Sequence, residues 1–130
     1  MFTLQQIQDA HAQVKSGADF PRYMQDLIAL GVTSFETFVF DNHTLYYGND
    51  GYTIRSEGFT ETLTLSDKCN IDQFKADLKS HQQGNTDYVT FLRDCAKSGI
   101  EKWIVVMDEM TCAYYDALGT TLLEESIPLL

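Results

Sequence analysis

The chain has 130 residues, enough for one domain with its own core, and 44% of them are hydrophobic. Nineteen acidic against nine basic side chains give a net charge of −10, which repels phosphate backbones and anionic lipid, so no nucleic-acid and no membrane partner is expected. The sequence shows neither a signal peptide nor a long apolar run, and its three widely spaced cysteines favour free thiols, so a cytoplasmic location is predicted.

The first half of the chain predicts two helices followed by short strands. Thr3 and Gln6 form a capping-box pattern before a helix that is expected to end at Ser16–Gly17. Asp19 is expected to cap a second helix, and Gly31 suits the left-handed residue that ends it. Strands are expected at residues 33–40, 45–47 and 52–56, with residues 59–65 as a further candidate.

The second half predicts the same order of elements. Asn70 and Gln73 repeat the capping pattern, and Asp87 or Thr86 is expected to cap the next helix. Gly99 again supplies a glycine stop. Strands are expected at residues 103–107, 112–115 and 120–124.

The two halves align when 68 is added to a residue number, which carries Gly31–Gly51 onto Gly99–Gly119. We interpret them as two degenerate copies of a helix–helix–β-meander unit, at residues 1–60 and 69–125. Because neither copy is expected to bury its sheet face alone, we predict a single domain over residues 1–130. The predicted fold class is α+β, with an antiparallel sheet and helices on one face.

Three strings carry a resemblance to a known family: Met110–Asp116 (MTCAYYD), Glu125–Pro128 (ESIP), and Gly31–Val32 leading to Tyr46–Gly48. They resemble a small, uncharacterised bacterial family that is classed as a domain of unknown function. Many of its members are borne by prophages, and some are labelled "phage envelope protein". The resemblance covers nearly the whole chain, and it implies no established activity, cofactor or catalytic residue.

The adjacent tyrosines of each half, Tyr46 and Tyr47 with Tyr114 and Tyr115, are the first candidate site. Neighbouring residues of a strand face opposite sides of the sheet, so one tyrosine of each pair is expected to pack inward. Core packing is the simpler interpretation. The alternative is a binding surface, because tyrosine combines apolar area with a hydroxyl group.

A second candidate is a polar site formed by Asp41, His43 and Cys112. Asp41 and His43 lie two residues apart in a predicted turn and can share a proton or a metal ion. Cys112 can act as a nucleophile only beside a base, for which His43 and His81 are the candidates. Turn formation by Asp41 and core packing by Cys112 are simpler. The usual phosphate, dinucleotide and zinc motifs are absent from the sequence, so no cofactor, metal or catalytic residue is predicted.

The sequence leaves the function unknown, with three hypotheses. The leading one is a small acidic accessory protein of prophage type that acts by contact with an unknown protein partner and forms a homodimer through its sheet. The first alternative is a small-molecule-binding protein or enzyme with a cleft between the two copies. The second is an acidic nucleic-acid mimic. A flat apolar patch favours the contact protein, a deep pocket with perturbed titratable groups favours the binder or enzyme, and an acidic stripe favours the mimic.

Overall fold

The computed structural model describes residues 2–15, 19–58 and 62–127. In this part of the chain the protein is α+β, with four α-helices and one six-stranded antiparallel sheet. The elements are α1 (Leu4–His11), α2 (Phe20–Leu30), β1 (Ser34–Phe38), β2 (Thr44–Tyr47), a 3₁₀ turn (Asn49–Gly51), β3 (Thr53–Ser56), α3 (Ile71–Gln82), α4 (Tyr88–Lys97), β4 (Lys102–Val106), β5 (Thr111–Tyr115) and β6 (Thr121–Ser126).

Side-chain caps start three of the four described helices. The capping box predicted at α1 is confirmed: the Thr3 hydroxyl accepts from the Gln6 amide at 3.2 Å, and the Gln6 side chain accepts from the Thr3 amide at 2.9 Å. Asn70 accepts from the Gln73 amide at 3.1 Å, and Asp87 accepts from an amide in the first turn of α4. These bonds satisfy amides that have no partner within the helix.

One predicted helix boundary is wrong, and one predicted cap lacks its side-chain bond although its helix begins where predicted. α1 ends at His11, where the chain tightens into a turn, and not at Ser16–Gly17, which lie outside the described residues. Asp19 precedes α2, but its carboxylate accepts no bond from the amides of that helix. It accepts from the Lys15 amide at 2.8 Å.

The further strand candidate at residues 59–65 is also wrong over its described part. Residues 62–65 form no strand, and residues 59–61 lie outside the description. The Leu63 amide donates to the Phe40 carbonyl at 2.7 Å, in the turn between β1 and β2. A single bond of this kind fixes the position of a connecting segment but does not add a strand to the sheet.

The sheet has the order β3-β2-β1-β4-β5-β6, so β1 and β4 pair at its centre and β3 and β6 form its edges. Thr37 of β1 lies between Thr44 and Trp103, because the register pairs it with both. Side chains two residues apart share a face. The face that includes Thr37 therefore carries Phe35, Thr37, Thr44, Tyr46, Ser56, Trp103, Val105, Cys112, Tyr114 and Glu125.

Both helix pairs contribute to a core on this face. The ring of Phe74 in α3 lies 4.9 Å from that of Tyr114, and the ring of Phe91 in α4 lies 5.6 Å from that of Trp103. Each large apolar side chain that becomes fully buried contributes about 1.5–3 kcal/mol. The fully buried apolar side chains of the helices are Ile7, Met24, Leu27, Phe74 and Leu92.

Gly31 and Gly99 have the positive φ predicted for them, +101° and +78°. Their surroundings differ. A Cβ at Gly31 would meet only the Phe2 ring, at 4.0 Å, whereas a Cβ at Gly99 would lie 2.9 Å from the Lys68 carbonyl oxygen. The backbone before α3 therefore packs directly on Gly99, and a side chain there requires the backbone to move.

We predict that Gly31→Ala lowers the free energy of unfolding by about 1 kcal/mol, because alanine disfavours positive φ. Gly99→Ala adds about 1–3 kcal/mol of overpacking and so costs about 2–4 kcal/mol in total. Urea denaturation of both variants measures the difference. Equal losses, or a larger loss at Gly31, would contradict the close packing at Gly99.

Candidate functional site

A cavity of about 670 Å³ lies between the two helix pairs and the sheet. The strands supply its floor, α1 and α2 line it from one half of the chain, and α3 and α4 line it from the other. Its volume falls within the range of small-molecule sites in proteins. The side chains that matter below are His11, Tyr23, Thr37, Thr44, Tyr46, His81, Tyr88, Phe91, Trp103, Cys112, Tyr114 and Glu125.

Aromatic rings connect the two helix pairs at this cavity. His11 of α1 lies edge-on to Tyr23 of α2, with ring centroids 5.3 Å apart. The same ring lies 6.1 Å from that of Tyr88 in α4, and Tyr88 is in turn edge-on to Trp103 at 6.4 Å. Edge-on geometry is favourable for such rings, so the cavity has a packed aromatic boundary.

One half of the cavity carries four hydroxyl groups, three on the strands of the floor and that of Tyr23 on α2. Thr37 Oγ1 and Thr44 Oγ1 are 2.9 Å apart, and the hydroxyls of Tyr23 and Tyr46 are 3.3 Å apart. Burial raises the pKa of both tyrosines, most strongly that of Tyr23, so both stay protonated at neutral pH. We call Tyr23, Thr37, Thr44 and Tyr46 the hydroxyl cluster.

The other half of the floor carries a thiol and a phenol. Burial raises the pKa of Cys112 to about 12, although a hydrogen bond with Tyr114 opposes that rise. Burial also raises the pKa of Tyr114. At the edge of the sheet, Gln82 donates to the Glu125 carboxylate at 3.5 Å. The thiol and the phenol in this half are therefore neutral at physiological pH.

Two histidines line the helix side of the cavity. The ring of His81 stacks on Phe91 at 4.4 Å, and its Nδ1 lies 3.2 Å from both the carbonyl and the hydroxyl oxygens of Thr86. Burial lowers the pKa of His81, and partial burial against aromatic rings lowers that of His11. Both imidazoles are therefore mainly neutral at pH 7.

A short hydrogen bond joins α4 to the turn between β1 and β2. The Tyr88 hydroxyl donates to Asn42 Oδ1 at 2.6 Å, and both residues line the cavity. Asn42 has a φ of +63°, a conformation that asparagine tolerates better than most residues. The bond therefore closes one side of the cavity with a polar contact.

The structure divides the four predicted tyrosines between two faces. Tyr46 and Tyr114 lie on the cavity floor. Tyr47 lies on the opposite face, where its hydroxyl donates to Glu36 at 2.9 Å. Tyr115 shares that face, and its ring centroid lies 5.8 Å from Lys102 Nζ. Two of the four tyrosines therefore line the cavity, and the other two join charged partners on the open face.

The three residues of the predicted polar site do not share one location. Asp41 accepts from the His43 amide at 3.0 Å and lies 2.6 Å from His43 Nδ1. Burial alone raises the pKa of Asp41, but the bonds from His43 outweigh that effect and lower it. Cys112 lines the cavity, whereas neither Asp41 nor His43 does. Among the described residues, no three histidine, cysteine or acidic side chains are grouped so as to hold a metal ion.

Five site residues were not expected from the sequence: Tyr23, Thr37, Thr44, Tyr88 and Trp103. Alternation along β1 and β2 would place the two threonines on the buried face, which is a usable signal. Nothing in the sequence shows that the helix pairs leave a space above them.

Comparison with known proteins gives one family. The family model described as "Protein of unknown function (DUF1398)" matches residues 8–126. No curated protein matches the chain. None of the described helices has the length and apolar character needed to cross a membrane.

The cysteines give a direct test of the burial described above. All three are free thiols; Cys69 is exposed, whereas Cys95 and Cys112 are buried. With a pKa of about 12, Cys112 at pH 8 has on the order of one thiolate in ten thousand. We predict that Ellman's reagent modifies one thiol of the folded protein and three in denaturant, and that Cys69→Ser removes the folded-state reaction. Rapid modification of two thiols in the folded protein would contradict this burial.

Proposed function

Since the chain belongs to the DUF1398 family, which has no assigned function, we propose from its structure that it binds a small, flat, largely apolar organic molecule in the cavity. The observation that carries this proposal is the concentration of aromatic rings around a space of about 670 Å³. Ligand sites are typically concave and mostly apolar, with a few polar groups that fix orientation. Here Trp103 lies on the central strand β4, and the hydroxyl cluster supplies the polar groups.

The phenols and the thiol of this site suit binding better than acid–base or nucleophilic catalysis. The raised pKa values of Tyr23, Tyr46 and Cys112 keep these groups protonated at neutral pH. A protonated phenol or thiol is a hydrogen-bond partner, whereas a base or nucleophile has to be deprotonated or stand beside a base. The side chains are therefore suited to holding a molecule in one orientation.

We also propose that the cavity lies between two degenerate helix–helix–β-meander copies, residues 1–60 and 69–125. The central pairing of β1 with β4 supports this, because the strands of the first half then form one side of the sheet and those of the second half form the other. Matching floor positions support it too: Phe35 pairs with Tyr46 in one half as Trp103 pairs with Tyr114 in the other. A space between two such copies is lined by both, and their divergence makes its two halves chemically different.

The protein-contact role expected from the sequence stays a prediction, as do the homodimer, the cytoplasmic location and the prophage-type accessory function. The part of the molecule relevant to a second copy is the open face of the sheet, where Tyr47, Tyr115, Glu36 and Lys102 lie. Ligand binding in the cavity does not require that face.

The test uses N-phenyl-1-naphthylamine, a neutral aromatic dye that fluoresces in apolar sites. Trp103 is the one tryptophan of the chain, so energy transfer from protein to dye reports binding near the cavity. We predict saturable binding of one dye per chain with quenching of Trp103. Ser56→Phe, which places a ring at the cavity on β3, should weaken binding by about tenfold or more.

The matched control is Thr53→Phe, which adds the same ring to an exposed position on the same strand but on the opposite face. It should bind the dye as the wild-type protein does. Absence of saturable binding to the wild-type protein, or equal weakening by the two variants, would contradict the proposed function.

A further inference from the structure

The hydroxyl cluster holds more protons than its internal hydrogen bonds use. Its two closest pairs, Thr37 with Thr44 and Tyr23 with Tyr46, each share one proton between two oxygens. The Thr44 hydroxyl also acts as a hydrogen-bond partner of Tyr46, which connects the pairs. Four hydroxyl groups carry four protons, and a chain of four oxygens has three links. At least one proton and several lone pairs therefore remain for another partner.

The residues that carry this remaining capacity lie at the cavity. All four residues line it, although each is nearly buried, with 3–7% of its surface exposed. Hydroxyl groups rotate, so the chain can present either a donor or an acceptor to a bound molecule. A ligand that uses this capacity replaces water at groups that are otherwise costly to leave unpaired.

The opposite half of the floor lacks such a chain. Trp103, Cys112 and Tyr114 line the cavity there from β4 and β5, and the ring of Phe91 on α4 lies 5.6 Å from that of Trp103. Apart from the Tyr114 hydroxyl, which is hydrogen-bonded to Cys112, these side chains offer apolar surface and a weakly polar thiol. A molecule across the floor therefore meets hydroxyl groups at one edge and rings at the other.

Cations are scarce at this site. Among the described residues that line the cavity, Lys15 alone carries a permanent positive charge, and it is exposed. The histidines are mainly neutral at pH 7 because burial lowers their pKa values. A carboxylate or phosphate on the floor would lose its hydration without gaining a buried cation.

We propose that the ligand is an uncharged aromatic compound with a hydroxyl, carbonyl or ring-nitrogen group at one edge, which bonds to the hydroxyl cluster while its apolar edge packs on Trp103. This inference rests on the proposed function and specifies its ligand class. Three aromatic probes of the same ring size distinguish failure of this inference from failure of the proposed function. They are naphthalene, 2-naphthol and 2-naphthoate, each used to displace the bound naphthylamine dye.

The wild-type protein should bind 2-naphthol about three- to tenfold more tightly than naphthalene, the range expected for one added hydrogen bond. It should bind 2-naphthoate more weakly than 2-naphthol. Thr37→Val combined with Thr44→Val removes one hydroxyl pair while keeping its shape, so the preference for 2-naphthol should fall while naphthalene binds at least as well. Thr53→Val, on the opposite face, is the matched control and should keep the preference.

Tyr23→Phe provides a second variant of the cluster if the double valine variant fails to fold, and it should also reduce the preference for 2-naphthol. Equal binding of naphthalene and 2-naphthol by the wild-type protein would overturn this inference alone, because the cavity would still bind aromatic molecules. A preference for 2-naphthol that persists in the cluster variants would also overturn it. Tighter binding of 2-naphthoate than of 2-naphthol would do the same. Failure of the dye and all three probes to bind would overturn the proposed function and this inference together.

Discussion

The pairing of β1 with β4 joins the two halves of the chain and determines what faces the helices. It sets Thr37 beside Trp103 and Phe35 beside Val105 at the middle of the sheet. Each half then adds its own strands outward, so the floor side chains of β2 and those of β5 lie on either side of this seam. A register shift of one residue in this ladder would turn one of these two sets to the other face. The cavity floor therefore depends on this one ladder.

The helices cover the floor incompletely, and that is what creates a site. α2 and α4 place Tyr23 and Phe91 over the sheet, while His11 and Tyr88 connect the pairs at the cavity. Buried polar groups without partners are costly, and the described side chains avoid that cost by pairing with one another. When hydroxyl groups bond to one another, at least one of their protons stays unused, whereas a hydrogen bond from an acid to a base uses the acid's proton. The polar half of the cavity can thus be stable when empty and still have hydrogen bonds to offer.

Much of the architecture could be predicted from residues whose roles are local. Thr3, Asn70, Asp87 and the glycines at the helix ends act through their own backbone neighbours, so pattern alone locates them. The missing side-chain bond of the Asp19 cap and the absence of a strand at residues 62–65 do not follow from local propensity, because Asp19 accepts from the Lys15 amide and Leu63 donates to the Phe40 carbonyl. The cavity lay beyond prediction for a similar reason: local patterns place Thr37 and Thr44 on a buried face, but only tertiary packing decides whether a helix fills the space above them.

The most direct measurement of the central claim, that the cavity binds aromatic molecules, is a two-dimensional NMR titration with 2-naphthol. The indole N–H of Trp103 is unique in the chain, and the methyl groups of Thr37 and Thr44 report on the floor. We predict saturable shifts at all three, with the methyl groups of Thr53 and Thr111, on the opposite face, unchanged. Saturable shifts confined to that opposite face, or no shift at Trp103, would contradict the claim.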